Sequence, residues 1–144
     1  MRDFAECVAE ARRTGAWQPL VEMIPYARFM GLSVQLADGQ VIGKLAFSEM
    51  LIGNPALPAL HGGTLGALLE STSVFQVLVG VETAALPKIV SITVEYLRSG
   101  KPIDTWAKAL VTRQGRRIVN VRAEAWQDDP ARPIATAHAH FLVS

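Results

Sequence analysis

The sequence is poor in the features that staple, anchor or tag a small protein. It holds one cysteine in 144 residues. Cys7 alone cannot close an internal disulfide, which fits a reducing compartment and excludes both a cysteine-stapled secreted module and any multi-cysteine zinc or iron–sulfur centre. Charge of one sign is missing too. Fourteen Lys and Arg face 13 Asp and Glu, a net charge of +1 with no basic block, so nucleic acid is not expected as the main partner. No apolar run reaches the roughly 18 residues of a membrane span, so no membrane partner is expected either. The opening Met1-Arg2-Asp3-Phe4-Ala5-Glu6 carries charge and lacks the long apolar stretch of a signal peptide. The expectation is one cytoplasmic domain over residues 1–144.

What is present is apolar. Half the residues are hydrophobic and the mean hydropathy is +0.24. A chain of this size buries roughly 70% of the surface its unfolded form exposes, so it needs no metal staple. The surplus of apolar side chains points to burial between copies, hence a homo-oligomer.

Periodicity sorts the chain into elements. Phe4, Cys7, Val8 and Ala11 recur at helical spacing, with Arg12 and Arg13 in the last turn before Gly15, where cations suit the helix dipole. A second short helix is expected over Gln18 to Met23, ended by Pro25. From Leu32 the period becomes two: Leu32, Val34 and Leu36 alternate with polar or small residues, Asp38-Gly39 turns, and Val41 to Phe47 returns. Ile52 to Leu60, with Gly53, Asn54, Pro55 and Pro58, reads as a loop. A proline-free run then leads from His61 to Gly80, apolar on most of its circumference, as in a helix wrapped by other structure. Four strands follow: Ile89 to Arg98, Ile103 to Arg113, Arg116 to Gln127 and Pro133 to Val143. The fold class is therefore α+β, an antiparallel sheet of six strands around one long central helix, with short N-terminal helices.

Chemistry concentrates at the start of the long helix. Gly62 and Gly63 let backbone N–H groups approach a ligand closely, and the helix dipole there favours developing negative charge. Glu70, nine residues after His61, sits among Leu68, Leu69 and Val74. A carboxylate in such company is either at a crevice or in need of a partner, and when partly desolvated it serves as base or nucleophile. Spacing alone leaves the plainer alternative open, in which the glycines only permit packing and Glu70 is a surface residue.

The segment His61-Gly62-Gly63-Thr64-Leu65-Gly66-Ala67-Leu68-Leu69-Glu70 resembles the His-Gly-Gly motif, with an acid nine positions on, of the hotdog-fold acyl-CoA thioesterases. It is most similar to their phenylacetate-pathway-type, 4-hydroxybenzoyl-CoA-thioesterase-like branch. Asn54-Pro55, Tyr96-Leu97-Arg98, Arg113-Gln114-Gly115-Arg116-Arg117 and the closing strand from His138 to Val143 extend the likeness through most of the chain. The resemblance implies hydrolysis of an acyl-CoA to free acid and CoA, with Glu70 as general base or nucleophile. It implies that the Gly63 N–H polarises the thioester carbonyl while His61 and Asn54 orient the loop, the substrate or the attacking water. Gly62, Thr64, Ser73, Arg98 and Arg116 would contact the substrate, Arg98 foremost for the CoA phosphates. No cofactor or metal is implied, coenzyme A being part of the substrate. A homodimer or homotetramer is implied, Glu70 of one chain facing the Asn54–Gly63 loop of another.

Three positions depart from the pattern. Glu70 stands where Asp is common, the Asn54-to-His61 loop is one residue longer, and Val74 stands where some relatives carry Thr or Ser, with Thr72 and Ser73 nearby. The acyl pocket is expected along Val74, Phe75 and Leu78. Arg98, Lys101, Arg113, Arg116 and Arg117 are expected on one side of the second half as solvated turn charges or as a basic rim. His138 and His140 are expected as ordinary sheet residues, Trp17, Trp106 and Trp126 as core or interface packing, and Cys7 as a small buried hydrophobe. Two other functions fit the same fold: an acyl-CoA-binding protein without turnover, which has no use for Glu70, and a hydratase or dehydratase of acyl thioesters, which wants a differently placed Asp–His pair.

Overall fold

The two periodicities of the sequence become two layers. In the computed structural model, which describes residues 3–83 and 85–144, three short helices come first: α1 (Phe4–Thr14), α2 (Gln18–Val21) and α3 (Pro25–Met30). Met1 and Arg2, part of the charged opening, lie outside the described residues. A hairpin of β1 (Leu32–Ala37) and β2 (Gln40–Leu45) follows, then a ribbon of β3 (Ile52–Asn54) and β4 (Ala59–Leu60), and the central helix α4 (Gly62–Gly80). Strands β5 (Lys88–Tyr96), β6 (Thr105–Gln114), β7 (Ile118–Trp126) and β8 (Ala135–Leu142) complete the chain. The six long strands form one antiparallel sheet in the order β1-β2-β6-β7-β8-β5, and α4 lies across its inner face. This is the hotdog arrangement.

Side-chain size lets the helix lie so close. The inner face of β6, β7 and β8 is paved with alanines, among them Ala107, Ala109, Ala123, Ala125, Ala137 and Ala139, all buried. They face one another in register, Ala107 opposite Ala125 and Ala123 opposite Ala137. Into this shallow floor α4 presses Leu65, Leu68, Leu69 and Phe75, each almost wholly excluded from solvent. Burial stabilises by roughly 1.5–3 kcal/mol per large side chain. On the outer face Trp106 and Trp126 sit opposite each other and only half-buried, with Lys44 and Lys108 over their rings at 5.7 and 5.8 Å. They do not belong to the core, unlike Trp17, which does. His138 and His140 also lie on the exposed outer face, the Nδ1 of His140 sharing a 2.7 Å hydrogen bond with Ser91. Cys7 is half-buried against the core.

Several boundaries differ from the periodicity reading. Pro25 opens a third helix instead of ending the second, because a proline at the first helical position gives up only an N–H that has no intrahelical acceptor. The stretch from Ile52 to Leu60 contains the β3–β4 ribbon. Arg12 lies in the last turn of α1 as expected and also reaches beyond it: its guanidinium donates to the carbonyls of Leu78 (3.0 Å), Val81 (2.8 Å) and Thr83 (2.7 Å), closing the C-terminal end of α4. Where β2 and β6 part, Gln40 and Gln76 bridge them. Gln76 accepts from the Val41 N–H, and Gln40 donates to both Gln76 and the Ala109 carbonyl.

The basic residues do not share one side. Arg98 and Lys101 lie before β6, while Arg113, Arg116 and Arg117 lie at its far end, ten strand residues or roughly 33 Å away. Alternation along a strand reveals which face a residue is on, whereas its position along the strand decides which end of the sheet it reaches. Among the described residues no helix is long and apolar enough to cross a membrane.

Candidate active site

The start of α4 is built by three close approaches. The His61 N–H donates to the Leu51 carbonyl at 2.8 Å, and a Cβ on Gly53 would lie 2.6 Å from His61 Cα, so only glycine fits behind the histidine. His61 is the N-cap of α4: its Nδ1 accepts from the Gly63 N–H at 2.9 Å, and its carbonyl accepts from Thr64. From the other side the Tyr96 hydroxyl donates to the Gly62 carbonyl at 2.7 Å, and its ring lies where a Gly62 Cβ would come within 3.2 Å. The Gly62–Gly63 peptide is thus held at both ends. The Gly62 N–H, at the first helical position, has no acceptor among the described residues. The donor expected to be free, Gly63, is engaged by His61.

Glu70 stands two turns on, on the face of α4 turned away from the sheet. It is half-buried, with no hydrogen bond or ion pair among the described residues, and burial raises its carboxyl pKa above the ordinary 4.5. It opens into a cleft of about 250 Å³ between α3, α4 and the segment leading into β5. The rest of that cleft is almost wholly apolar: Ile24, Tyr26 and Ala27 from one side, Val74 and Phe75 from α4, and Leu86 and Pro87 opposite. Of the three residues expected to line an acyl pocket, Val74 and Phe75 do so, while Leu78 is turned into the core.

Residues 54–142 match the family model of the acyl-CoA thioesterase N-terminal domain. The chain belongs to that thioesterase family. A protein of Chromobacterium violaceum of known structure is 35% identical, with 96% of this chain and 97% of that one aligned and a TM-score of 0.78. A phenylacetic acid degradation-related protein of Ralstonia eutropha JMP134 has the same fold (TM-score 0.76) at 24% identity over 94% of this chain and 98% of its own. The medium/long-chain acyl-CoA thioesterase YigI of Salmonella typhimurium is 27% identical over 135 residues, 83% of this chain and 86% of that protein.

The other candidate residues of the thioesterase divide by position. Arg98 shares a depression of about 320 Å³ with Gly62 and Tyr96, one guanidinium nitrogen bound to the Pro133 carbonyl at 2.7 Å. Arg116 lies in a separate basic depression with Arg113 and Arg117, at the end of the sheet away from the helix start. Asn54 is exposed and spends its Oδ1 on the Ala56 N–H, shaping the turn after β3. Ser73 is fully buried and donates to the Leu69 carbonyl at 2.7 Å, so the structure does not bring it to the cleft. Thr72 faces the sheet beside Gly43, its buried hydroxyl without a partner among the described residues. Thr64 lies half-buried in the first turn of α4.

Sequence reasoning gave no role to three residues that the structure brings forward. Tyr96 and Tyr26 come from elements remote in the chain, and no spacing links them to His61 or Glu70. Gln127 is buried and binds Lys101 through both its N–H and its carbonyl, at 3.0 and 2.9 Å, fixing the turn that follows Arg98. A polar residue next to Trp126 at the end of an alternating strand was the available signal.

Proposed function

We propose that this thioesterase hydrolyses an acyl-CoA with a medium-sized or aromatic acyl group, in a site completed by a second copy of the chain. The observation that carries the reading is Glu70: a partly desolvated carboxylate without a partner among the described residues, in an apolar cleft, on the helix opened by His61-Gly62-Gly63. Burying such a group without a partner costs stability, so its presence argues for chemistry. Glu70 takes a proton from water as the water oxygen forms a bond to the thioester carbonyl. A backbone N–H at the helix start, Gly62 in this geometry, holds the developing oxyanion. The C–S bond then breaks and the proton passes to the departing CoA thiolate. His61 and Asn54 act on the loop, and Arg98, beside Gly62, is the better placed arginine for CoA phosphates.

Distance supports the second copy. Gly62 and Glu70 are eight helical residues apart, roughly 12 Å along the axis. A base and an oxyanion donor must both come within about 3 Å of the reacting group. They converge only if Glu70 of one copy meets the helix start of another. The sheet supports the same reading. Nine-residue β5 is an edge strand with Val90 and Tyr96 exposed, a template for pairing. The opposite edge, β1, is covered, the Val34 N–H being taken by Gln18 of α2 at 2.9 Å. The medium/long-chain name of the Salmonella relative supports a medium-sized acyl group.

The test is thiol release from aliphatic and aromatic acyl-CoAs by wild type and Glu70→Gln, which keeps size and hydrogen bonding while removing charge. Turnover by wild type with a loss of at least about a hundredfold in the variant is the expected result. Binding of CoA esters by both proteins without thiol release would replace hydrolysis with acyl-CoA binding alone.

A further inference from the structure

Helix α3 and most of the N-terminal segment precede residues 54–142, the part that matches the thioesterase family model. Yet α3 forms one wall of the Glu70 cleft, through Tyr26 and Ala27, with Ile24 just before it. We propose that this cleft seats the acyl body of the thioester and that Tyr26 is the specificity-determining residue that limits its length. The proposal rests on the thioesterase reading above and adds to it the wall that selects the substrate.

The cleft is built for an apolar body with one reactive end. Apart from Glu70, Ser71 and the Tyr26 hydroxyl, its lining is hydrocarbon and aromatic ring. Its floor cannot deepen, because Phe75 is 1% exposed and locked in the core. At about 250 Å³ it lies below the roughly 300–1,000 Å³ of pockets for drug-sized ligands, so it suits a medium-sized or aromatic acyl group and not a long one. Growth is possible only towards the mouth, and there stand two large exposed side chains, Tyr26 (59%) and Leu86 (43%). Tyr26 is braced: Phe29, one turn on, stacks on it with ring centroids 6.1 Å apart and an interplanar angle of 26°. Pro25 sets the start of α3, the buried Ala27 pins it, and Gly31 at φ 77° ends it, so the ring is carried on a fixed element. A braced ring at the open end of an apolar cleft acts as a stop. An acyl chain longer than the cleft must displace it or leave methylenes in water.

The test uses the full chain and straight-chain acyl-CoAs from short to long, with benzoyl-CoA and phenylacetyl-CoA as compact esters. For wild type, Tyr26→Ala and Tyr26→Trp, kcat/KM is measured for each ester and the mass in solution by light scattering. Each additional buried methylene is worth roughly fourfold in kcat/KM. Tyr26→Ala is therefore expected to move the optimum to longer chains, with a gain of about tenfold or more on an ester two methylenes beyond the wild-type limit. Tyr26→Trp should move it the other way. Equal losses on every ester, or a changed mass, would overturn the proposal, because Tyr26 would then be structural or part of an interface. If wild type releases no thiol, the hydrolytic reading falls, and the acyl cleft is then judged by calorimetric binding of the same esters. Binding is measured on Glu70→Gln with and without Tyr26→Ala, where a shift in preferred length supports the cleft and an unchanged preference overturns it.

Discussion

The two ends of α4 are finished in opposite ways. At the C-terminal end one guanidinium, Arg12, satisfies carbonyls of Leu78, Val81 and Thr83, so the dipole's negative pole meets a fixed cation. At the N-terminal end the fixing comes from the side chains of His61 and Tyr96, and one N–H is left without an acceptor among the described residues. The first end is spent on stability. The second is held rigid and kept unsatisfied, which is what an oxyanion-binding position requires. Glu70, between them, is likewise unpaired among the described residues and turned away from the sheet. The N-terminal half of the helix holds the groups left without partners among the described residues, and the C-terminal half is the anchored end.

Substitutions can break this contrast, and Glu70→Gln should have the largest effect. The hundredfold or greater fall in turnover expected above corresponds to at least about 2.7 kcal/mol of transition-state stabilisation. Arg12→Met comes next and should act in the opposite sense. Removing charge-assisted hydrogen bonds from the helix end is expected to destabilise by about 2 kcal/mol in denaturant unfolding, with turnover per folded molecule unchanged. A large loss of kcat without loss of stability would show that the C-terminal end is not merely an anchor.

Tyr96→Phe should be smaller and fall on the other side of the contrast. It removes only the hydroxyl that holds the Gly62 carbonyl. If that hydroxyl acts only by positioning Gly62, kcat should drop by up to about tenfold while KM and the unfolding midpoint barely move. A parallel rise in KM would place the ring at the substrate instead.

The smallest effect concerns Glu70 and stability. Its pKa is raised by burial, so the folded protein favours the protonated carboxyl. That contribution is favourable below the unfolded pKa and is lost as pH rises through the folded one, so at neutral pH ionised Glu70 weighs against folding. Glu70→Gln should therefore raise stability at pH 7 slightly, by up to about 0.5 kcal/mol, and the gain should vanish on acidification. The same sign governs catalysis. As a base Glu70 must be ionised, so activity should climb with pH through an apparent pKa above the usual carboxylate value. A profile flat down to ordinary carboxylate values would contradict the burial argument.

Much of this was legible beforehand. The alternation from Leu32 onward, the Asp38-Gly39 turn and the proline-free run to Gly80 located the hairpin, the sheet and the central helix, because backbone period is a local property. The thioesterase family was legible in His61-Gly62-Gly63 and Glu70. Three kinds of fact were not legible. Pro25 suits a helix stop and the first position of a helix equally, and nothing local decides between the two. The second use of Arg12 is invisible locally, because its partners lie 66 to 71 residues away. The basic turns were grouped because they are close in sequence, although β6 holds them at opposite ends of the sheet.

By itself, then, the sequence determined the order and type of the long elements, the near-zero net charge and single cysteine, and the acid nine residues beyond the histidine. Only the tertiary structure decided what each polar group is used for. It spent the Gly63 N–H on His61 and the Ser73 hydroxyl on Leu69, left Gly62 and Glu70 without partners among the described residues, and brought Tyr26 to the mouth of the cleft. The physical reason is that periodicity depends on neighbours a few residues away. The availability of a donor, a carboxylate or a wall depends on desolvation and on partners supplied by distant segments of the chain.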